Sequence, residues 1–305
     1  MLTIAFHPNY ILEVPANHRF PMSKYSELRL RLVQEGIVDE INFFEPNILE
    51  EGTFAEAHTV DYIERMKTGR LTPKEMRAIG FKYSPELINR EMTIASGTVV
   101  GALHALEEGK VSMNIAGGTH HAYTDRGEGF CILNDQATAA KFLVNHDYAS
   151  KVAIIDLDVH QGNGTAEICQ NDDRIFTFSM HGEKNYPFKK EKSDWDIGLE
   201  NNTSDATYLN ILKNSIETIF EKFQPEFIFY QAGVDVLKTD KLGHISLSIE
   251  GCQKRDEMVI KKCFEQNIPM QISMGGGYSP DLEDILIAHL NTFKTVQEQL
   301  HNYSN

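Results

Sequence analysis

Long apolar runs, a basic excess and cysteine pairs are all missing from this chain of 305 residues. No stretch reaches the roughly 18 consecutive apolar residues of a membrane-spanning helix, so no membrane span is expected. The first residues, MLTIAFHPNY, lack the basic start and long apolar segment of a secretory signal. Lysine and arginine number 29 against 44 acidic residues, a net charge of −15. That balance argues against nucleic acid as a partner, because sequence-independent binding needs cations to neutralise phosphates. It suits cationic partners instead, such as lysine-rich peptides or polyamines. The four cysteines, Cys131, Cys169, Cys252 and Cys263, include no CxxC pair and are too few for a disulfide framework. They read as reduced, buried thiols of a cytoplasmic protein. Internal repeats, low-complexity tracts and Pro/Gly/Ser linkers are absent too, which predicts one domain over residues 1–305.

What is present is an alternation of short β-branched runs and longer helical patterns. Strands are predicted at 2–6, 40–44, 111–115, 152–157, 175–179, 227–230 and 270–274. Helices are predicted at 85–107, 132–145, 205–223, 250–267 and 280–300. Alternation of this kind reads as α/β with a mostly parallel sheet. In such sheets the ligand crevice lies beyond the carboxyl ends of the strands. Polar residues should therefore gather there, and four strand ends carry them. They are GGTHH (117–121), DVHQGNG (158–164), QAGVD (231–235) and GGGY (275–278).

In an extended segment alternate side chains share a side, so Asp156, Asp158 and His160 start on one side. A carboxylate and an imidazole two apart suit a divalent metal, and three protein ligands with an open position is the catalytic zinc arrangement. Asp235 is the best candidate for the third ligand. The plainer alternative is that Asp158 and His160 cap a loop. His120 and His121 follow a Gly-Gly turn that permits irregular backbone, so both could face one site as general acid and base. Equally, one of them could be an ordinary core histidine. Tyr278 follows three glycines and could donate to a developing oxyanion. The alternative is a Gly-rich anion-binding turn, although no Lys-Ser/Thr follows to make it a P-loop. Gly129, Phe130, Tyr186 and Phe188 could wall a channel or simply pack.

Taken together, GGTHHA (117–122), GFCILND (129–135), DLDVHQGNG (156–164), AGVD (232–235) and GGGY (275–278) resemble the zinc-dependent histone deacetylase family in content, order and spacing. Within it, residues 232–259 and the HQGNG form of the third motif most resemble class IV enzymes and their bacterial relatives. HRFPMSKY (18–25) resembles the N-terminal segment of the bacterial members. The resemblance implies an arginase/deacetylase fold with about eight strands (compare). It implies one Zn²⁺ held by Asp158, His160 and Asp235. His120 and His121 take the places of tandem catalytic histidines, and Tyr278 that of the tyrosine that polarises the acyl carbonyl. Gly129, Phe130, Tyr186, Phe188 and Gly276 take the places of tunnel walls. Asp156 matches a carboxylate that orients the first histidine. It also helps hold a structural K⁺ or Na⁺ with Asp158, His160, Ser179 and Met180.

The implied reaction removes an acetyl or longer fatty acyl group from a lysine side chain of a peptide or protein. Class IV members prefer long acyl chains. An acylated polyamine is the alternative substrate, and a non-catalytic acyl-lysine binder the non-enzyme alternative. A two-metal ureohydrolase needs more carboxylates than these motifs supply. Two departures stand out. Asn163 occupies a place where many members carry aspartate behind the second histidine, which should leave His121 neutral to lower pH. Residues 80–85 offer no match to the aspartate that clamps the substrate backbone in some relatives. No long disordered tail of the kind found in nuclear members is evident, so a chromatin role is not expected.

Overall fold

The computed structural model describes residues 2–15, 18–108 and 110–303. An eight-stranded parallel sheet runs through it. The strands are β1 (Thr3–Ala5), β2 (Phe43–Phe44), β3 (Val111–Asn114), β4 (Val152–Asp156), β5 (Ile175–Gly182), β6 (Trp195–Leu199), β7 (Phe227–Gln231) and β8 (Met270–Ser273). Their spatial order is β2-β1-β3-β8-β7-β4-β5-β6. The principal helices are α1 (Lys24–Gln34), α2 (Glu51–Ala55), α3 (Val60–Lys67), α4 (Pro73–Ile79), α5 (Pro85–Glu108), α6 (Asp135–Asn145), α7 (Asn163–Cys169), α8 (Asp205–Lys222), α9 (Ile249–Glu265) and α10 (Leu282–Tyr303).

Central strands covered on both faces are apolar throughout rather than alternating. β4 and β7 show this directly. Val152, Ile154, Phe227 and Phe229 pack with alanines of α5 and α6 on one face. Ala153, Ile155, Ile228 and Tyr230 pack on the other with Leu212 and Ile216 of α8, Val259 of α9 and Phe293 of α10. Period-two alternation thus sends neighbouring residues of one strand into two different helix layers.

Several boundaries differ from expectation. The region expected as strand 40–44 is strand only at Phe43–Phe44, because Asp39 and Asn42 cap each other around a 3-10 turn at Glu40–Asn42. β6 was not expected. Trp195, read as a loop anchor, begins that edge strand and packs on Phe178 at 5.3 Å between ring centroids. The short helices α1 to α4 and α7 were also unforeseen. His289, read as a helix-surface residue like His104, His146 and His301, is 1% exposed. It lies on the inner face of α10, between Ile285 and Phe293.

Candidate active site

The four central strands β3, β8, β7 and β4 all end at one place. The loop after β3 carries His120 and His121, that after β4 carries Asp158 and His160, that after β7 carries Asp235, and that after β8 carries Tyr278. An inner cavity of about 40 Å³ is lined by these six residues together with Gly276, Phe130 and Arg90. It opens to an outer cleft of about 380 Å³.

β4 ends at Asp156, earlier than expected, so strand alternation does not carry through to His160. Turning backbone brings the side chains together instead. His160 Nδ1 lies 3.1 Å from Asp158 Oδ1 and 3.1 Å from Asp235 Oδ2. Ligand atoms of the three residues all fall within 4.8 Å of one another. Backbone amides orient both carboxylates. His160 N and Gly276 N donate to Asp158 at 3.0 Å, and Val159 N donates to Asp235 at 2.9 Å. Glycine at 276 is required by close approach: a Cβ there would run into carboxylate oxygens of Asp235 and Asp158. Beneath, the fully buried Arg255 of α9 donates to the carbonyls of Gly233 at 2.5 Å and Leu157 at 3.2 Å, and pairs with Asp256.

The charge arrangement fits a cation. Two buried carboxylates share one imidazole, and the Asp235 carboxyl is pushed up to about 7, chiefly by burial and then by the charge of Asp158. Holding both ionised without a positive ion between them is costly. Two carboxylate oxygens and one imidazole nitrogen form a donor set suited to a borderline divalent metal.

The tandem histidines diverge in partner. His120 Nδ1 lies 2.7 Å from Asp156 Oδ2, and His121 Nδ1 lies 2.6 Å from Asn163 Oδ1. Burial opposes charge on both rings. On His120 the carboxylates of Asp156 and Asp158 overcome it and hold the pKa up at about 9. On His121 burial prevails, helped by the neighbouring His120 and His160, and the pKa falls well below 6.5. Asn163 is itself held by Tyr123, whose hydroxyl accepts from Nδ2 at 3.0 Å. The histidine loop is anchored by Asp135, which accepts from Gly118 N at 3.0 Å and Thr119 N at 2.8 Å. Gly118 has φ 78°, and a Cβ would collide with Gln231.

Burial, then the charges of Asp235 and Asp158, raise the Tyr278 phenol well above 10. It therefore stays protonated, a donor rather than an anion. Phe130, a bulky residue at φ 68°, is held there by its amide bond to Ile79 O at 2.7 Å. Its ring meets those of Phe20, Phe81 and Tyr278 at centroid distances of 5.5 to 6.1 Å. Tyr186 stands edge-on to His121 at 5.0 Å, and its hydroxyl donates to Glu128. Phe188 departs from its expected place in the channel wall. It is 92% exposed and stands at the mouth of the outer cleft. Asp156 is paired in register with Ser179, and Met180 follows on the same strand. The expected monovalent-cation residues are thus on adjacent strands, with the Ser179 hydroxyl 2.9 Å from His181 Nδ1.

Several supporting residues gave no sequence signal. Lys24 is buried, donates to Gly275 O at 2.9 Å and lies over the Tyr278 ring. Arg90 pairs with the adjacent Glu91, Asp240 accepts from Tyr278 N at 2.6 Å, and Glu128 anchors Tyr186. The other histidines left open are now placed. His7 caps a turn, His58 is a buried core residue, His18 stacks on Phe81, and His244 lines the outer cleft.

Comparison with known proteins agrees with this geometry. The family described as Histone deacetylase domain matches residues 18–293. An uncharacterized protein of Picosynechococcus is 38% identical, covering 94% of this chain and 95% of its own. Histone deacetylase 2 of Arabidopsis thaliana is 30% identical, covering 86% of this chain and 70% of its own. Acetoin utilization protein AcuC of Staphylococcus aureus is 29% identical over 74% of this chain and 64% of its own. In fold, the crystal structure of the HDA15 HD domain superposes with a TM-score of 0.83 at 21% identity, covering 96% of this chain and 90% of that one. The chain belongs to the histone deacetylase family.

Proposed function

We propose that this chain is a zinc-dependent deacylase that hydrolyses the side-chain amide of acyl-lysine in peptides or proteins. The observation that carries the reading is convergence. Asp158, His160, Asp235, His120, His121 and Tyr278 come from four loops and line one cavity. Zn²⁺ held by Asp158, His160 and Asp235 would supply Lewis acidity toward the acyl carbonyl and a water.

Divergent environments of two titratable groups assign acid and base roles. His121 is neutral, and its Nδ1–H donates to Asn163, which leaves Nε2 to accept the proton of the attacking water. His120, charged and oriented by Asp156, stabilises the developing negative charge. The proton on His121 then passes to the leaving lysine amine. Tyr278 donates its hydroxyl to the oxyanion. Phe130 and Tyr186 flank the aliphatic stem of the substrate and exclude water. A structural K⁺ or Na⁺ near Asp156 and Ser179 would fix the first histidine's partner. The HQGNG motif and residues 232–259 support the class IV likeness, and four free, buried thiols fit a reducing, cytoplasmic setting.

The test is turnover by the zinc-loaded protein on matched lysine peptides carrying acetyl, butyryl, octanoyl and myristoyl groups, with acetylpolyamine alongside. Hydrolysis of an acyl-lysine peptide, lowered about 100- to 1,000-fold in Tyr278→Phe, supports the reading. Turnover confined to acetylpolyamine transfers the site to small molecules. Zinc binding without hydrolysis of any amide would mean a non-catalytic binder.

A further inference from the structure

The chain holds ten arginines. Eight of them, Arg29, Arg31, Arg65, Arg70, Arg90, Arg126, Arg174 and Arg255, pair with carboxylates. Among the described residues, Arg19 and Arg77 have no carboxylate within 4.0 Å. Both are exposed, and both stand at the mouth of the site. Arg19 lines the outer cleft together with His121, His160 and Tyr278. Arg77 and Arg19 line the adjoining groove, which shares Ala78, Gly129 and Phe130 with that cleft. Lys184, also exposed and unpaired, lines the cleft beside Tyr186 and Phe188.

The local structure holds these cations in place. The His18 ring stacks on Phe81 at 5.2 Å, with Nε2 3.1 Å from Gly80 O, which fixes the segment carrying Arg19. Gly129 N and Phe130 N donate to Ala78 O and Ile79 O, which ties the end of α4, and with it Arg77, to the channel wall. No carboxylate lines either the cleft or the groove. Glu128, the nearest in sequence to the wall, is turned to the Tyr186 hydroxyl and the Asn163 amide.

A basic mouth on a chain of net charge −15 runs against the whole-molecule balance. Range decides which charge a bound substrate feels. At physiological salt the Debye length is about 8 Å, so distant surface acids are screened while rim charges are not. Polyamine cations would meet Arg19, Arg77 and Lys184 at the entrance, with no acid to pair with. Resting on the acyl-lysine reading above, we infer that Arg19, Arg77 and Lys184 form a specificity rim that selects acyl-lysine peptides with acidic residues flanking the modified lysine. The exposed Phe188 offers the same peptide an apolar contact.

The test separates binding from turnover. Fluorescent acetyl-lysine peptides of one length, with flanks of aspartate, serine or lysine, are titrated by anisotropy against the full chain. Each exposed ion pair contributes a few tenths to about 1 kcal/mol, so the aspartate peptide should bind about 3- to 30-fold tighter than the lysine peptide at low salt. The ratio should shrink towards one near 0.5 M salt. Arg19→Gln/Arg77→Gln should abolish most of the preference, and Arg19→Lys/Arg77→Lys should keep it. Lys213→Gln/Lys222→Gln on α8 removes the same charge away from the mouth and should leave the ratio unchanged. Equal or reversed affinities in the wild type, or a ratio untouched by the Gln pair, overturn the inference. Failure to bind any of the peptides overturns it together with the acyl-lysine reading. Hydrolysis of the serine-flanked peptide reports on that reading separately: a charge preference in binding without hydrolysis sinks the function and leaves the rim standing.

Discussion

Replacing Asn163 by aspartate tests how this site divides labour between its two histidines. The site contains its own reference. His120 and His121 sit 4.1 Å apart between centroids, each with Nδ1 within 2.7 Å of a side-chain oxygen. One partner is charged and the other neutral, and the rings are driven in opposite directions. Asn163→Asp places a carboxylate behind both. An opposite charge at such range raises an imidazole pKa by about 1 to 3 units. At an effective dielectric near 20, charges about 4 Å apart interact by about 4 kcal/mol, which sets the ceiling. Glu128 reduces the effect, because its Oε1 lies 3.5 Å from Asn163 Nδ2 and would repel the new carboxylate. The expected shift is therefore about 1 to 2 units upward. His121 works as a base only when neutral, so a raised pKa moves the acidic limb of kcat/KM to higher pH. At pH 6 the variant should be about 10-fold less active than the wild type, and the two should converge on the alkaline side. The assay is kcat/KM from pH 5 to 9 on one acetyl-lysine peptide. A limb that stays put or moves down, or an equal loss at every pH, would refute the reasoning.

Other perturbations follow from the packing. Gly276→Ala changes no polar group but pushes Asp235 and Asp158 apart, so zinc affinity should fall about 10- to 100-fold in a chelator competition titration; unchanged affinity would place the metal elsewhere. His58 is fully engaged as a neutral ring, with Nδ1 2.9 Å from Tyr123 O and Nε2 accepting from Asn134 N at 2.9 Å. Burial lowers its pKa to about 4. The unfolded chain then binds more protons between pH 6.5 and 4, and about 3 kcal/mol of stability, present above pH 6.5, is lost on acidification through that window. Urea midpoints should fall more steeply with pH in the wild type than in His58→Gln, and parallel pH dependences would contradict this. Arg255→Met strands the buried Asp256 and frees the carbonyls of Gly233 and Leu157. It should cost about 3 to 5 kcal/mol in denaturant unfolding and weaken zinc binding as well; a loss below 1 kcal/mol would mean water replaces the guanidinium.

Much of the site was legible because its residues sit where chain geometry is simple. Each follows a buried apolar strand, and glycines mark the turns. Edge strands were not legible. In β6 only Leu199 is buried, so no apolar run marks it. His289 carried a signal that was passed over: it falls four residues after Ile285 and four before Phe293, on the buried stripe of α10. Lys24 carried none. Its burial depends on Phe20, Tyr25 and Tyr278, which are distant in sequence or set by an unforeseen helix. The end of the wall was also out of reach, since the exposure of Phe188 is a property of the closed fold. Arg19 and Arg77 look like any surface arginine until their lack of partners is seen in three dimensions.

Strand order has a consequence for how the chain acquires its structure. β8 is nearly last in sequence yet sits between β3 and β7, in the middle of the sheet. Until residues 270–273 are synthesised, β3 has no neighbour on that side, and the two halves of the sheet have no strand to join them. Such long loops must close before their contacts reward them, which slows folding. A nascent chain stopped before β8 exposes two inner edges rather than one finished domain, and these are open to mispairing. The last strand of the chain acts as a keystone, and metal can be captured only after it is set.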